Sequence, residues 1–127
     1  MSFEWISRKP REGIATLYDT NITLNKSASS HFDNAYSVLL GLDRENKRIA
    51  IKPISKQEWQ RGAISTEKRH KITVRPSYAR VSNKRFVHDV ADFLGLDLSS
   101  HTPKFKANWS SEEKALIIDL NKVEEGS

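Results

Sequence analysis

The sequence contains two similar β-hairpins, 67 positions apart. The stretch 39–54, LLGLDRENKRIAIKPI, has two apolar segments around a charged turn, and the stretch 104–120, KFKANWSSEEKALIIDL, has the same arrangement. A shift of 67 positions keeps the apolar alternation in phase and superposes the polar turns 43–47 and 110–114. Because successive strand side chains point to opposite faces, this alternation predicts strands with one buried face. A chain of only 127 residues that contains this hairpin twice has few folds open to it.

The phase of the alternation predicts which side of each hairpin faces the core. One row of three residues in the first strand of each hairpin is expected to point inward. These rows are Val38, Leu40 and Leu42 in the first hairpin, and Phe105, Ala107 and Trp109 in the second.

The similarity extends upstream of both hairpins. The stretches 13–19 and 21–25 predict two strands around a tight turn, and the stretches 72–75 and 78–81 predict a second such pair. Each strand pair leads into a predicted helix, so the order strand, strand, helix, strand, strand occurs twice. The agreement in order and phase favours an internal duplication.

The two predicted helices differ in length. Asn25 is a plausible N-cap for a helix of one or two turns. Ser82 is a plausible N-cap for a longer helix, because apolar residues recur at helical spacing over 86–94 until Gly95 ends the pattern. The second repeat is therefore longer than the first by about ten residues in the helix and the loop after it.

A linker joins the two predicted repeats. Within it, Ser55 and Glu58 have the spacing of a capping box for one helical turn, which Gly62 would end. Trp59 is expected to pin this linker to the rest of the fold.

The chain is expected to form a single domain, 1–127, of mainly β structure with short helices. Its internal repeats cover about 12–54 and 70–120, and the linker covers 55–69. A length of 127 residues suits one ordinary domain with a real core.

The positive charge is concentrated in one segment. The net charge is +5, yet the stretch 66–85 has seven basic residues and one acidic residue, or +6, and the other 107 residues have 14 basic and 15 acidic, or −1. Such a concentration attracts polyanions, although a solvated face is the commoner explanation of a charge run. The candidate nucleic-acid-binding residues are Lys68, Arg69, Lys71, Arg75, Arg80, Lys84 and Arg85.

Other functional classes have little support in the sequence. There is no cysteine, so no disulfide framework or thiolate metal site is possible, and this is compatible with a reducing cytoplasm. The four histidines lack metal-site spacing, and no phosphate-binding glycine loop or nucleophile motif is present. No apolar run approaches the length of a membrane span or a signal peptide. We therefore expect a soluble, cytoplasmic protein that is not an enzyme and has no cofactor, bound metal or membrane partner.

The stretch 12–54 resembles the swapped-hairpin domain of AbrB-like and MraZ-like bacterial regulators. It has a strand, a turn, a second strand that ends at a short helix, and an acidic-tipped hairpin that closes on the sequence IAIKP. The stretch 70–120 resembles a second copy. The MraZ-like DxxxR signature is missing, because Lys47 follows Asp43 by four residues and Arg48 comes one later. The resemblance therefore favours the AbrB-like branch, and it implies a pseudo-two-fold β-barrel in which the two repeats exchange hairpins.

The resemblance also implies a function, that of a DNA-binding transcriptional regulator. Family members that bind DNA use basic residues on the first strand, the following loop and the helix start. These positions carry Lys71, Arg75, Arg80, Lys84 and Arg85 in the second repeat. The matching positions of the first repeat are nearly uncharged, and they are Thr16, Tyr18, Thr23 and Lys26.

This difference between the repeats predicts that the protein binds DNA asymmetrically, mainly through the second repeat. The alternative is a non-enzymatic protein-interaction module on the same fold, with the basic stretch solvated. In either case the expected state is a monomer or a weak homodimer, because the two repeats would complete one barrel within a single chain.

Overall fold

The backbone is mainly antiparallel β structure with a few short helices, as the sequence predicted. The computed structural model describes residues 12–62 and 68–123, so the linker segment 63–67 lies outside the described residues. The strands are β1 (Gly13–Leu17), β2 (Ile22–Asn25), β3 (Ser37–Asp43), β4 (Arg48–Ile54), β5 (Ile72–Val74), β6 (Tyr78–Val81), β7 (Lys104–Ser110) and β8 (Ala115–Val123). The helices are α1 (Lys26–Ser29), which continues into a 3-10 turn (Ser30–Phe32), α2 (Lys56–Gln60) and α3 (Lys84–Leu94).

These strands form one sheet that nearly closes into a barrel. Their order is β3-β4-β8-β7-β1-β2-β6-β5. Between the two edge strands, Val38 of β3 and His70, just before β5, exchange backbone hydrogen bonds of 3.0 and 2.9 Å. Closure of a sheet removes the unpaired edges that would otherwise recruit other strands.

Each hairpin lies between strands that are distant in sequence. The hairpin β3–β4 pairs with β8 on one side and meets His70 on the other. The hairpin β7–β8 pairs with β4 on one side and with β1 on the other. At the β1–β7 contact, the Cβ of any side chain at Gly13 would collide with the backbone carbonyl oxygen of Ala107. Glycine is therefore required for this close approach of two strands.

The barrel interior is filled by alternate residues of the strands. Ile51 and Ile118, which the 67-residue shift superposes, are both fully buried, as is Phe105. The predicted inner rows are confirmed in part: Val38, Phe105 and Ala107 are buried, whereas Leu40, Leu42 and Trp109 are half-buried against the core. The half-buried residues lie nearer the hairpin turns, where fewer neighbouring elements cover them.

Trp109 was expected in the core, and it lies at the edge of the core, less buried than expected. Its indole is half-buried and stacks on the His31 ring, with a centroid distance of 4.7 Å and an interplanar angle of 9°. The ring thus packs against the core and also contacts the 3-10 turn after α1.

The helices begin and end where capping chemistry permits. Asn25 caps α1 as predicted, since its Oδ1 accepts a hydrogen bond from the Ala28 backbone. The predicted cap Ser82 was wrong: Asn83 caps α3, with its Oδ1 accepting from the Phe86 backbone at 3.0 Å. Strand β6 runs through Val81, so the extended backbone continues to Asn83 before the helix starts.

The ends of α2 and α3 follow the sequence prediction. The Ser55–Glu58 capping box is present at the start of α2, and Gly62 after it has a φ of 69°. Gly95 ends α3 with the same φ, which favours glycine. With 11 residues, α3 is the longest helix in the described ranges, and no helix there is long and apolar enough to cross a membrane.

Candidate nucleic-acid interface

The outer surface of β5 and β6 carries much of the predicted basic cluster. On β6, Ala79 and Val81 point into the barrel, so Arg80 points outward and is exposed. The same alternation along β5 leaves three side chains exposed on this surface, namely Lys71, Thr73 and Arg75. Two neighbouring strands thus bring three basic residues onto one surface.

Arg80 lies at the centre of this surface. Its register partners are Thr23 on β2 and Thr73 on β5, so short polar side chains flank it on both sides. Its guanidinium carbon lies 5.5 Å from the ring centroid of Tyr78, which precedes it by two residues on the same strand. This cation–π contact holds the charge beside an aromatic ring at the protein surface.

Lys84 and Arg85 extend the cluster to the first turn of α3. Both are exposed, and this turn contains no acidic residue. Cations at a helix N-terminus oppose the helix dipole, each typically by about 0.3–1 kcal/mol at low ionic strength. An anion bound beside this turn would relieve that repulsion. We call Lys71, Arg75, Arg80, Lys84 and Arg85 the basic face.

The basic face has no acidic partners among residues 12–62 and 68–123. The ion pairs found there involve other side chains, at 2.9 Å for Arg48–Asp43, 2.7 Å for His88–Asp19 and 3.6 Å for Lys106–Glu12. None of these five side chains therefore forms a direct ion pair with a carboxylate in the described part of the chain.

The other two candidate residues lie elsewhere. Arg69 is half-buried, with its guanidinium carbon 4.4 Å from the ring centroid of Trp59, and Lys68 is exposed beside it. The Trp59 ring also contacts Tyr36 edge-on at 5.3 Å, next to the start of β3. Trp59 thus contacts the barrel, as expected of a residue that anchors the linker. Charge counting could not separate this pair from the basic face, because the separation depends on the position of Trp59.

His70 and Asn83 hold the two parts of the basic face together. The Nδ1 atom of His70, just before β5, lies 2.9 Å from the Nδ2 atom of Asn83, the N-cap of α3. Burial lowers the pKa of His70, so the neutral ring is favoured and can accept this hydrogen bond. The link fixes the start of β5 relative to the start of α3, and hence Lys71 relative to Lys84.

Sequence reasoning missed the aromatic residue beside Arg80, which is the half-buried Tyr78 at an outward position of β6. Tyr18, which the sequence named only as a nearly uncharged position of the first repeat, is 39% exposed in the β1–β2 turn. The alternation along β6 could have placed Tyr78 beside Arg80, since both occupy outward positions.

Comparisons of the chain with protein-family models, with curated proteins and with solved structures found no match. The resemblance to AbrB-like and MraZ-like regulators therefore rests on the residue patterns described above, and the membership it implies stays a prediction.

Proposed function

We propose that this protein is a small DNA-binding protein, a transcriptional regulator of the AbrB-like type, that contacts DNA through the basic face. The observation that carries the proposal is that Lys71, Arg75 and Arg80 lie on one outer surface and that Lys84 and Arg85 are exposed at the start of the helix that follows. None of the five pairs with a carboxylate in the described ranges. Lysines and arginines that neutralise backbone phosphates release counterions, which supplies most of the affinity of non-specific DNA binding.

We also propose that the barrel is a pseudo-two-fold, swapped-hairpin fold built from two repeats. Agreement in strand register supports this. A shift of 67 positions converts the four β3–β4 pairs nearest the turn into β7–β8 pairs, so that Leu40–Ile51 becomes Ala107–Ile118. Between Phe105 and Ala107 the register of β7–β8 shifts, and beyond it the two hairpins differ. A shift of 57 positions converts all three β1–β2 pairs into the β5–β6 pairs. Agreement of register around the turns of two successive hairpins favours duplication over chance similarity.

The position of the implied two-fold axis follows from the same shifts. The 67-residue shift takes Ala50 to Ile117, and these two residues are paired with each other across β4 and β8. The 57-residue shift takes Thr23 to Arg80, and these two residues are paired with each other across β2 and β6. An axis that relates the repeats would therefore pass through both pairs, on opposite walls of the barrel. In this arrangement Arg80 lies at the axis, with an uncharged residue as its counterpart.

The charge on the two sides of the axis is unequal. The 57-residue shift relates Arg75 to Tyr18 and Arg80 to Thr23, so the counterparts of both arginines are neutral. A regulator with this face would contact the DNA backbone mainly through its second repeat. We therefore expect the bound DNA site to lack the symmetry that two identical basic repeats would require.

The salt dependence of binding tests the proposal. A fluorescent duplex is titrated with the full chain at several salt concentrations, and the slope of log K against log salt is measured. Arg75→Ala and Arg80→Ala should each reduce the steepness of that slope by about one unit. Lys114→Ala is the control, because Lys114 is an exposed basic residue in the β7–β8 turn, and β7 and β8 lie four places from β5 and β6 in the strand order. Absence of binding at low salt, or an equal effect of Lys114→Ala, would contradict the proposal.

A second candidate function is a non-enzymatic protein-interaction module. The observation in its favour is the aromatic cluster of Tyr36, 50% exposed, and Trp59, 37% exposed, with Arg69 over the indole. Tyrosine, tryptophan and arginine are the residue types most enriched at binding hot spots. A protein partner bound through this cluster would be lost on Trp59→Ala and retained on Arg80→Ala, whereas DNA binding should show the reverse.

A further inference from the structure

An open depression of about 410 Å³ lies between the β1–β2 turn and the β5–β6 turn. Its volume is within the range of roughly 300–1,000 Å³ that is usual for small-molecule sites. Hydrogen-bond donors and two phenol rings line it, without a carboxylate: the residues are Tyr18, Asn21, Thr23, Ser77, Tyr78 and Arg80. A cationic lining without acidic groups suits an anionic ligand.

Tyr18 is held in place with part of its ring accessible. Its backbone N–H donates to the carbonyl of Asn21 at 2.8 Å, and the Asn21 side-chain oxygen accepts from the Thr23 hydroxyl at 2.7 Å. These bonds fix the β1–β2 turn, while the Tyr18 side chain stays 39% exposed. An accessible aromatic ring can stack on the flat face of a base.

Arg80 supplies the charge on the other side of the depression. The Tyr78 ring beside its guanidinium limits the directions in which the side chain can point. A fixed guanidinium and a nearby exposed phenol ring form the combination that single-strand-binding proteins use, in which a base stacks on the ring and the phosphate meets the cation.

We propose that this depression holds one nucleotide of single-stranded nucleic acid, with its base stacked on Tyr18 and its phosphate at Arg80. The proposal rests on the proposed function, because it assigns a ligand to part of the same surface. A base within a duplex is covered by its neighbours and cannot stack on Tyr18. The site therefore favours an unpaired strand over a duplex of the same length.

The experiment measures dissociation constants by fluorescence anisotropy for three ligands. They are a thymidine strand of about 12 nucleotides, the matched duplex, and free thymidine monophosphate as competitor. Stacking on one aromatic ring accounts for about a 5- to 150-fold change in affinity. Tyr18→Leu should weaken strand binding by a factor in this range and leave duplex binding within about two-fold. Tyr18→Phe, which keeps the ring, should preserve strand binding.

Controls separate this inference from the proposed function. Tyr36→Leu removes another exposed tyrosine and should change the affinity for neither the strand nor the duplex. Arg80→Ala should weaken the binding of both the strand and the duplex. No binding of strand or duplex would overturn the proposed function and the inference together. Duplex binding with no selective effect of Tyr18→Leu on the strand would overturn the inference alone. Monophosphate binding as tight as strand binding would overturn the assignment to a strand.

Discussion

Asp43 and Ser110 occupy the same place at the start of the two hairpin turns. Each side chain accepts a hydrogen bond from the backbone N–H three residues ahead, and each turn ends on a lysine with a φ of 53°. Asp43 also accepts from Arg48 at 2.9 Å, and from the side chain of Asn46. The hydrogen bond from Arg48 is the largest cause that lowers the pKa of Asp43, followed by those from Asn46. Together they hold this pKa well below its ordinary value of 3.8.

The lowered pKa of Asp43 makes its contribution to stability depend on pH. Because the folded-state pKa lies below the unfolded-state pKa, the carboxylate stabilises the fold above pH 3.8, and this stability is lost as pH falls through the folded-state pKa. Asp43→Asn should therefore lower the melting temperature near neutral pH and have a smaller effect in acid.

The matched control is Ser110→Ala, since the serine hydroxyl does not titrate in this range. It should lower the melting temperature by an amount that pH does not change. An Asp43→Asn effect that is equally constant across the acid range would contradict the role of the Arg48 pair.

At the scale of elements, the N-caps of α1 and α3 are each tied to the segment that starts their own half of the chain. The Oδ1 atom of Asn25 accepts from the backbones of Ala28 and Ile14, and its Nδ2 donates to the carbonyl of Glu12. At α3 the tie is the contact between Asn83 and His70 described above. Both caps thus do more than begin a helix.

The two caps should differ in their effect on stability. Loss of an N-cap side chain usually costs about 1 kcal/mol, so Asn83→Ala should reduce the free energy of unfolding by about that amount. Asn25→Ala should cost more, because it also leaves the Ile14 N–H without its acceptor. Urea unfolding of both variants measures the difference, and a larger loss for Asn83→Ala would be contrary to this interpretation.

The sequence predicted most elements and fewer of their contacts. Local patterns predicted the strands to within about three residues, the hairpin turns and the C-terminal end of α3, because alternation and capping are local properties. The cap of α3 was misplaced because Ser82 and Asn83 are both good caps, and the choice depends on where the pairing of β6 ends. The Asp43–Arg48 pair was not predicted, since it depends on the register of β3 against β4.

The sequence predicted which basic residues are candidates, but not which of them lie together on the folded surface. Counting charge identified seven basic residues, and the sheet brings Lys71, Arg75 and Arg80 together by the alternation of two strands. Lys84 joins them through the helix that follows. Arg69 is not part of this group, because its guanidinium packs on the indole of Trp59, ten positions earlier in the chain. Such contacts between distant residues depend on packing, which single-sequence patterns do not encode.

At the scale of the whole molecule, the barrel should unfold as one unit. The core residues Ile51 and Ile118 come from different hairpins, and both are fully buried in the same interior. Ile51→Ala and Ile118→Ala should each cost roughly 2–5 kcal/mol, and both variants should melt in a single transition. Leu40→Ala should cost less, since Leu40 is only half-buried. Two separate melting steps, measured by calorimetry, would show that the halves are independent.

The most direct measurement is a map of backbone amide shifts by two-dimensional NMR while short DNA is added to the full chain at low salt. The basic face predicts that the largest shifts fall within 71–85, with smaller ones in the β1–β2 turn. Ala50 and Ile117, which pair across β4 and β8 outside the basic face, should not shift. Shifts that are largest at Ala50 and Ile117 or around Trp59, or no shifts at all, would contradict the proposal that the second half of the barrel binds DNA.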